Sequence, residues 1–337
     1  MSGQLIDRLR ALFCMHARGK MGAESCPAFS KKIMSKKIGI AIVAPGGRAL
    51  DDTVLARGIA RLEQHGCLVH NYYDPAQSFQ RFGGTDGARL AQLEAAVADP
   101  QVQVVMALRG AYGLTRLLPK IDFEAMAASG KIFVGFSDMT ALHMALMAKT
   151  GALSYAGPMF AGDFAADQPV DFTLDNFWQC LAGPGHVITE LAAGNPSVNV
   201  AGKVWGGNLT MLVSLLGTDY FPAIDGGILF VEDVNEHPYR VERMLLQLMQ
   251  AGVLARQQAL LLGDFSNYRL SAADQGYDFE AMLGFLRATL PLPVLTGLQF
   301  GHGPKRVTIP FGAQASLVSD SARFQLTMRD YPTLGAA

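Results

Sequence analysis

Ile38 to Ala44 (IGIAIVA) is a nearly continuous apolar run with β-branched residues, the pattern of a strand covered on both faces. It stops at Pro45-Gly46-Gly47. Leu55, Ile59 and Leu62 then recur at helical spacing, with Gly66 as a stop signal. A second helix is predicted from about Asp86, with Leu90, Leu93 and Val97 on one face and Thr85 or Asp86 as the cap. Val102 to Leu108 and Lys131 to Phe136 read as further strands. Strands alternating with helices predict a parallel sheet with helices on its faces. Residues from about 157 to 195 are rich in Gly, Pro, Asp and Ala, including Gly157-Pro158 and Gly183-Pro184-Gly185, and read as a linker. Beyond them, Gly226 to Val231 leads a strand into an acidic turn. Val241, Met244, Leu245 and Leu248 form a helical face ending at Gly252, and 258–262, 307–310, 313–319 and 323–328 look like short strands. That is a second α/β domain with more sheet than the first. There is no internal repeat.

Length agrees, since 337 residues suggest about two domains on the usual scale of roughly 150 residues each. The expected division is a basic extension at 1–35, an N-terminal α/β domain at 36–160, a linker at 161–195 and a C-terminal domain at 196–330. With 50% apolar and 17% charged residues the chain has ordinary globular composition, which excludes wholesale disorder. A net charge of −1 argues against nucleic acid or an anionic membrane as the main partner. No apolar run approaches the roughly 18 residues of a membrane span. Cys14, Cys26, Cys67 and Cys180 are scattered and form no metal-ligand spacing, so neither a disulfide framework nor a zinc site is expected, and a reducing cytoplasm is the default location. Residues 1–37 carry eight Lys/Arg against Asp7 and Glu24. Three readings fit this segment: a disordered basic tail, a weak targeting segment or an artefact of start-site choice. The last is preferred, because Met34-Ser-Lys-Lys before an apolar strand reads like a natural beginning.

Candidate chemistry gathers at four places. The first strand-to-helix turn bears glycines but matches neither G-x-G-x-x-G nor G-x-x-x-x-G-K-[ST], so no nucleotide fingerprint is present. Val134-Gly135-Phe136-Ser137-Asp138-Met139-Thr140 lies where a strand meets a helical stretch, which would present the Ser137 hydroxyl at the sheet's carboxyl edge. Met139 breaks the G-x-S-x-G pattern, and a helix cap is the plainer alternative for Ser137. Arg109-Gly110-Ala111-Tyr112-Gly113 follows a strand, where backbone N–H groups can converge on an anion or oxyanion; an ordinary glycine turn fits equally well. In Phe230-Val231-Glu232-Asp233-Val234-Asn235-Glu236 three carboxylates follow a strand without a clear metal-ligand set. His302, flanked by Gly301 and Gly303 in a loop, can reach a cleft where imidazole suits proton transfer. His65, His143 and His237 read as structural or surface residues.

Taken together, IGIAIVAPGG, RFGGTDGAR at 81–89, LRGAYG at 108–113, GFSDMTAL at 135–142, WGGNL at 205–209, VEDVNEHPYRVERML at 231–245 and FGHGP at 300–304 resemble the LD-carboxypeptidases, serine peptidases of bacterial cell-wall recycling, over about residues 36–330. The resemblance implies an N-terminal Rossmann- or flavodoxin-like domain, a C-terminal mixed α/β domain with a barrel-like sheet, and an active site in the cleft between them. It implies a Ser137, Glu232 and His302 triad, with Ser137 attacking, His302 taking its proton and Glu232 orienting the imidazole. Backbone N–H groups of Asp138 and of Gly110 or Ala111 would bind the oxyanion. Ala111 stands where the family usually has a second glycine, so a positive φ there would be strained. The implied reaction removes the terminal D-alanine from a murein tetrapeptide, with no metal or organic cofactor, and the implied assembly is a homodimer. Arg109 and Arg240 are candidates for holding the substrate carboxylate, although Arg240 can equally pair with Glu236 four residues before it. Asn208 and Tyr112 are candidates for polar contacts. Two alternatives remain: a microcin-immunity peptidase of the same family that cleaves a peptidyl-nucleotide, and a non-catalytic binder of murein fragments.

Overall fold

Five short strands that carry almost nothing but apolar residues set up the first half of the molecule. The structure, a computed structural model, describes residues 37–51 and 53–335; the 1–35 extension lies outside the described residues. Strands β1 (Ile38–Val43), β2 (Cys67–Asn71), β3 (Val104–Ala107), β4 (Ile132–Gly135) and β5 (Ser154–Ala156) run parallel. Helices α1 (Thr53–Gln64), α2 (Asp86–Ala98), α3 (Phe123–Ala128) and α4 (Thr140–Thr150) connect them in turn. Every residue of β3 and β4 is buried, as strands covered on both faces require. Thr85 caps α2 by accepting the Ala88 N–H, and Asp122 caps α3 in the same way from Ala125.

The spatial order β2-β1-β3-β4-β5 is the doubly wound order of flavodoxin-like sheets, which reverses direction between β1 and β3. Loops leaving the carboxyl ends of strands at such a switch point form the natural crevice of an open α/β sheet. A sixth strand, β11 (Ile309–Phe311), closes the far edge antiparallel to β5, with Ile309 opposite Ala156. This strand belongs to the stretch expected in the C-terminal domain, so the two halves share a sheet.

The segment expected as a linker at 161–195 is folded. It holds a π-helical turn at Phe160–Phe164, helix α5 (Asp171–Ala182) and strand β6 (Gly185–Leu191). Apart from Gly162 inside the π-helical turn, its Gly and Pro residues sit at or between the ends of these elements. Between them Leu174, Phe177, Cys180 and Leu181 line the buried face of α5 at helical spacing.

The second sheet contains β6, β7 (Val198–Asn208), β8 (Gly227–Val234), β9 (Gln257–Ser266), β10 (Val294–Leu295), β12 (Gln314–Ser319) and β13 (Arg323–Arg329). Its order is β10-β9-β8-β7-β12-β13-β6, parallel from β10 to β7 and antiparallel from β7 to β6. The sheet is open: β10 and β6 are edges and do not pair, so the expected barrel-like closure does not occur. Helices α6 (Leu209–Ser214), α7 (Pro238–Gln250) and α8 (Phe279–Thr289) complete this half. Strand β7 changes character along its length. Its first six residues alternate between half-buried and exposed, and its last five are all buried, where it passes from the antiparallel to the parallel part of the sheet.

Candidate active site

Ser137 stands at the turn from β4 into α4 with φ at 62°. A left-handed conformation at a non-glycine residue costs on the order of 1–2 kcal/mol and persists only where the surroundings enforce it. The helix-cap reading is overturned here, because neither the turn at Ser137–Met139 nor α4 has a side-chain cap bond. Among the described residues the Ser137 hydroxyl makes no hydrogen bond, and the residue is half-buried. The strain at Ser137 is therefore not offset by a cap bond from its side chain.

The loop after β3 lies directly alongside. A Cβ on Gly110 would sit 2.8 Å from the Ser137 Cβ and 2.9 Å from its Oγ, so only glycine lets the two turns approach this closely. Ala111 has φ at 67°, a left-handed value that is strained for a residue bearing a Cβ. The Asp138 carboxylate is 2% exposed, and its Oδ2 accepts the Leu114 N–H at 2.9 Å. Burial pushes its pKa up to about 7, against the pull of the Leu114 hydrogen bond and the Arg89 charge.

His302 and Glu232 form the other side. The His302 Nδ1 meets Glu232 Oε2 at 2.7 Å, with the Glu232 side chain wholly buried and His302 partly open. The second Glu232 oxygen accepts from Asn208 Nδ2 at 3.1 Å. Burial raises the Glu232 carboxyl above its ordinary range, while hydrogen bonds from His302 and Asn208 oppose that rise. The loop carrying His302 is tied down by Phe300, whose carbonyl accepts the Asp264 N–H at 2.8 Å. Arg306 also donates to the Gly301 carbonyl at 2.9 Å.

Contact between the sides runs through Phe136, the residue before Ser137. The His302 ring packs edge-on against the Phe136 ring with centroids 5.0 Å apart, and the Arg306 guanidinium covers that ring at 3.8 Å. Arg306 is itself paired with buried Asp163 in the π-helical turn. At the start of α4, Thr140 Oγ1 accepts the Asn208 N–H at 3.0 Å. The structure thus brings Ser137, Gly110 and Ala111 together on one side and Glu232 with His302 on the other. Among the described residues no hydrogen bond joins Ser137 to His302.

The remaining predicted contacts divide. Arg109 is half-buried, and burial together with the like charges of Arg81 and Arg48 lowers its pKa. Among the described residues none of these three arginines has a carboxylate within ion-pair distance. Tyr112 is 47% exposed beside them. Arg240 pairs with Glu236 at 3.6 Å, the alternative its spacing allowed. Asn208 is buried, and its amide is spent inside the protein. It donates to Glu232 and to Asp233, at 2.9 Å, and accepts the Met211 N–H, so it orients Glu232 instead of meeting a ligand. The other carboxylate of the acidic turn, Asp233, is engaged by Asn208 and by the Thr210 backbone and hydroxyl. Arg89, Asp163 and Arg306 escaped the sequence reading. Arg89 closes the quoted RFGGTDGAR motif and Arg306 lies two residues past FGHGP, but Asp163 is far from any quoted motif, and buried charges leave no periodic trace.

Residues 40–157 match the model of the LD-carboxypeptidase N-terminal domain and 201–317 that of its C-terminal domain. The chain belongs to the LD-carboxypeptidase family. As a member of that family it is a serine-type carboxypeptidase, a hydrolase. It is 30% identical over 294 residues to the murein tetrapeptide carboxypeptidase of Pseudomonas aeruginosa, a match covering 85% of this chain and 94% of that one. The crystal structure of muramoyltetrapeptide carboxypeptidase from Oxalobacter formigenes superposes with a TM-score of 0.84 at 49% identity, covering 88% of this chain and all of that one. The microcin C7 self-immunity protein MccF of Escherichia coli is 27% identical over 302 residues, covering 80% and 87%. Among the described residues no helix of this LD-carboxypeptidase family member is long and apolar enough to cross a membrane.

Proposed function

We propose that this chain removes the terminal D-alanine from murein tetrapeptide by a Ser137, His302 and Glu232 mechanism, in the recycling of cell-wall peptides. The observation that carries the reading is the buried Glu232 carboxylate bound to His302 Nδ1 at 2.7 Å, beside a strained and uncapped Ser137. With Nδ1–H donated to Glu232, the imidazole keeps Nε2 as its free base, which takes the Ser137 proton as Oγ attacks the scissile carbonyl. Carbonyl electrons move to the oxygen, where the N–H groups of Asp138 and of Gly110 or Ala111 receive them. The tetrahedral centre collapses, His302 returns the proton to the departing D-alanine nitrogen, and water then releases the acyl group by the reverse exchange. The Ser137 to His302 hydrogen bond forms as substrate closes the site, since catalytic bonds are often long in the empty enzyme.

Arg109, backed by Arg48 and Arg81, holds the terminal carboxylate, and Tyr112 lies at the rim. The test is incubation with murein tetrapeptide and detection of free D-alanine by mass spectrometry, with Ser137→Ala as control. Release by the parent chain and none by the variant is expected. No release from any tetrapeptide would overturn the reading, and preferential cleavage of a peptidyl-nucleotide would favour a microcin-immunity role.

A further inference from the structure

The peptide group between Gly113 and Leu114 is held at both ends by buried charged side chains. Its C=O accepts from Arg89 Nη1 at 2.9 Å, and its N–H donates to Asp138 Oδ2 at 2.9 Å. The Arg89 side chain is wholly buried and also reaches the Pro45 carbonyl and Asp86. Gly47 N–H in turn donates to the Gly110 carbonyl at 2.9 Å. Three loops, leaving the carboxyl ends of the adjacent strands β1, β3 and β4, thus meet around one planar unit. A peptide plane can rotate about its flanking bonds with little displacement of its neighbours, unless both its donor and its acceptor are fixed. Here both are fixed, immediately after Gly110, Ala111 and Tyr112.

We propose that Asp138 is a positioning residue for the reaction. With Arg89 it clamps the Gly113–Leu114 peptide and so locks the 110–112 loop in the conformation that aims its N–H groups at the oxyanion. The backbone of Asp138 and its side chain then do separate jobs: the N–H faces the reacting oxygen, and the carboxylate holds the neighbouring donor in place. The inference rests on the reading of 110–112 as oxyanion donors. A strained Ala111 needs such a restraint, because alanine at φ 67° would otherwise relax toward negative φ and carry the donors away.

Asp138→Leu keeps approximate size and removes the acceptor, whereas Asp138→Asn keeps an oxygen for the Leu114 N–H. With murein tetrapeptide as substrate, Asp138→Leu should lower kcat by about 10²–10³-fold, the cost of losing one oxyanion donor, and leave KM within about threefold. Asp138→Asn should restore kcat to within about tenfold of the parent. Hydrogen exchange followed by NMR needs no substrate. The Leu114 amide should exchange at least about 100-fold more slowly than that of exposed Tyr112 in the parent chain. That protection should persist in Asp138→Asn and vanish in Asp138→Leu.

Parent-level kcat in Asp138→Leu would overturn the clamp. So would a Leu114 amide that exchanges as fast as Tyr112 in the unmodified chain, a result available even if the leucine variant does not fold. A chain that releases no D-alanine yet shows the expected exchange pattern would sink the carboxypeptidase reading and support the clamp as a structural device.

Discussion

The two sides of the site are built by different means. Around Ser137 the geometry is stored in the main chain: two non-glycine residues at positive φ, a Cβ-free approach at Gly110 and a peptide pinned between side chains. Around His302 the geometry is stored in side-chain hydrogen bonds, running from imidazole to Glu232 and from there to Asn208. A main-chain device resists substitution of most side chains but is costly to hold. A side-chain relay has the opposite weakness, since one altered atom breaks it while the fold survives.

The sharpest way to break that contrast is Glu232→Gln. It should lower kcat by about 10⁴-fold, as expected when an imidazole loses the carboxylate that fixes its tautomer. Glu236→Gln should change kcat by less than about twofold. Steady-state release of D-alanine measures both, and the reverse ranking would move the relay to Glu236.

Two buried groups near Ser137 give the main-chain side an opposed pH signature. His143 is wholly buried, with Nε2 on the Gly135 carbonyl at 2.9 Å, and burial pushes its pKa down to about 4. The unfolded chain takes up a proton below about pH 6.5 that the folded chain refuses. Its contribution is therefore present above that value and lost as pH falls toward 4, on the order of 3 kcal/mol. Asp138 has the opposite sign. With its pKa raised to about 7, its contribution is complete below about pH 4 and is lost as pH rises toward 7. Urea unfolding across pH 4–8 should show His143→Gln flattening the acid limb and Asp138→Asn flattening the neutral one. Unchanged slopes in both would mean that neither burial persists in solution.

A tetrapeptide whose terminal carboxylate is amidated should bind with KM raised about 10–100-fold, the cost of a charge-assisted hydrogen bond. Arg109→Met should abolish that preference. Equal KM for both substrates in the parent chain would separate Arg109 from carboxylate recognition. The smallest expected effect is at Ala111. Replacement by glycine removes the positive-φ strain at the expense of chain entropy, for a gain of about 0.5–1 kcal/mol in stability. Thermal or urea unfolding checks it, and a loss of stability would mean that the methyl packs usefully against the Gly47 loop.

Local pattern was enough to find β1, β3 and β4, the turn holding Ser137 and the loop after β3, because a doubly covered strand is written in consecutive apolar residues. Strand β6 falls in the expected linker, and β11 overlaps a strand expected at 307–310 but assigned there to the C-terminal domain; both placements are fixed by distant partners. Strand β6 finds its pairing in β13, well over a hundred residues later, and β11 joins a sheet whose other strands precede it by 150 residues or more. The open edges of the second sheet likewise depend on pairings that no period in the chain records. At the site, Ser137, Glu232 and His302 stood out through motifs and neighbouring glycines. Arg89 and Arg306 did not, since their roles arise from burial beside groups far along the chain, and Asn208, expected to make polar contacts with a ligand, is bound instead to Glu232. The resemblance supplied the association of the three motif residues, which the spacing alone left unjoined.

Strand β11 has a temporal consequence during synthesis. The segment bearing Ser137 leaves the ribosome long before residues 309–311 exist, so the first sheet waits with an unpaired border along β5. His302 arrives only a few residues ahead of that final strand. Completion of the sheet and arrival of His302 are thereby nearly simultaneous, so under the proposed triad a nascent chain gains hydrolytic competence no earlier than the synthesis of residues 309–311.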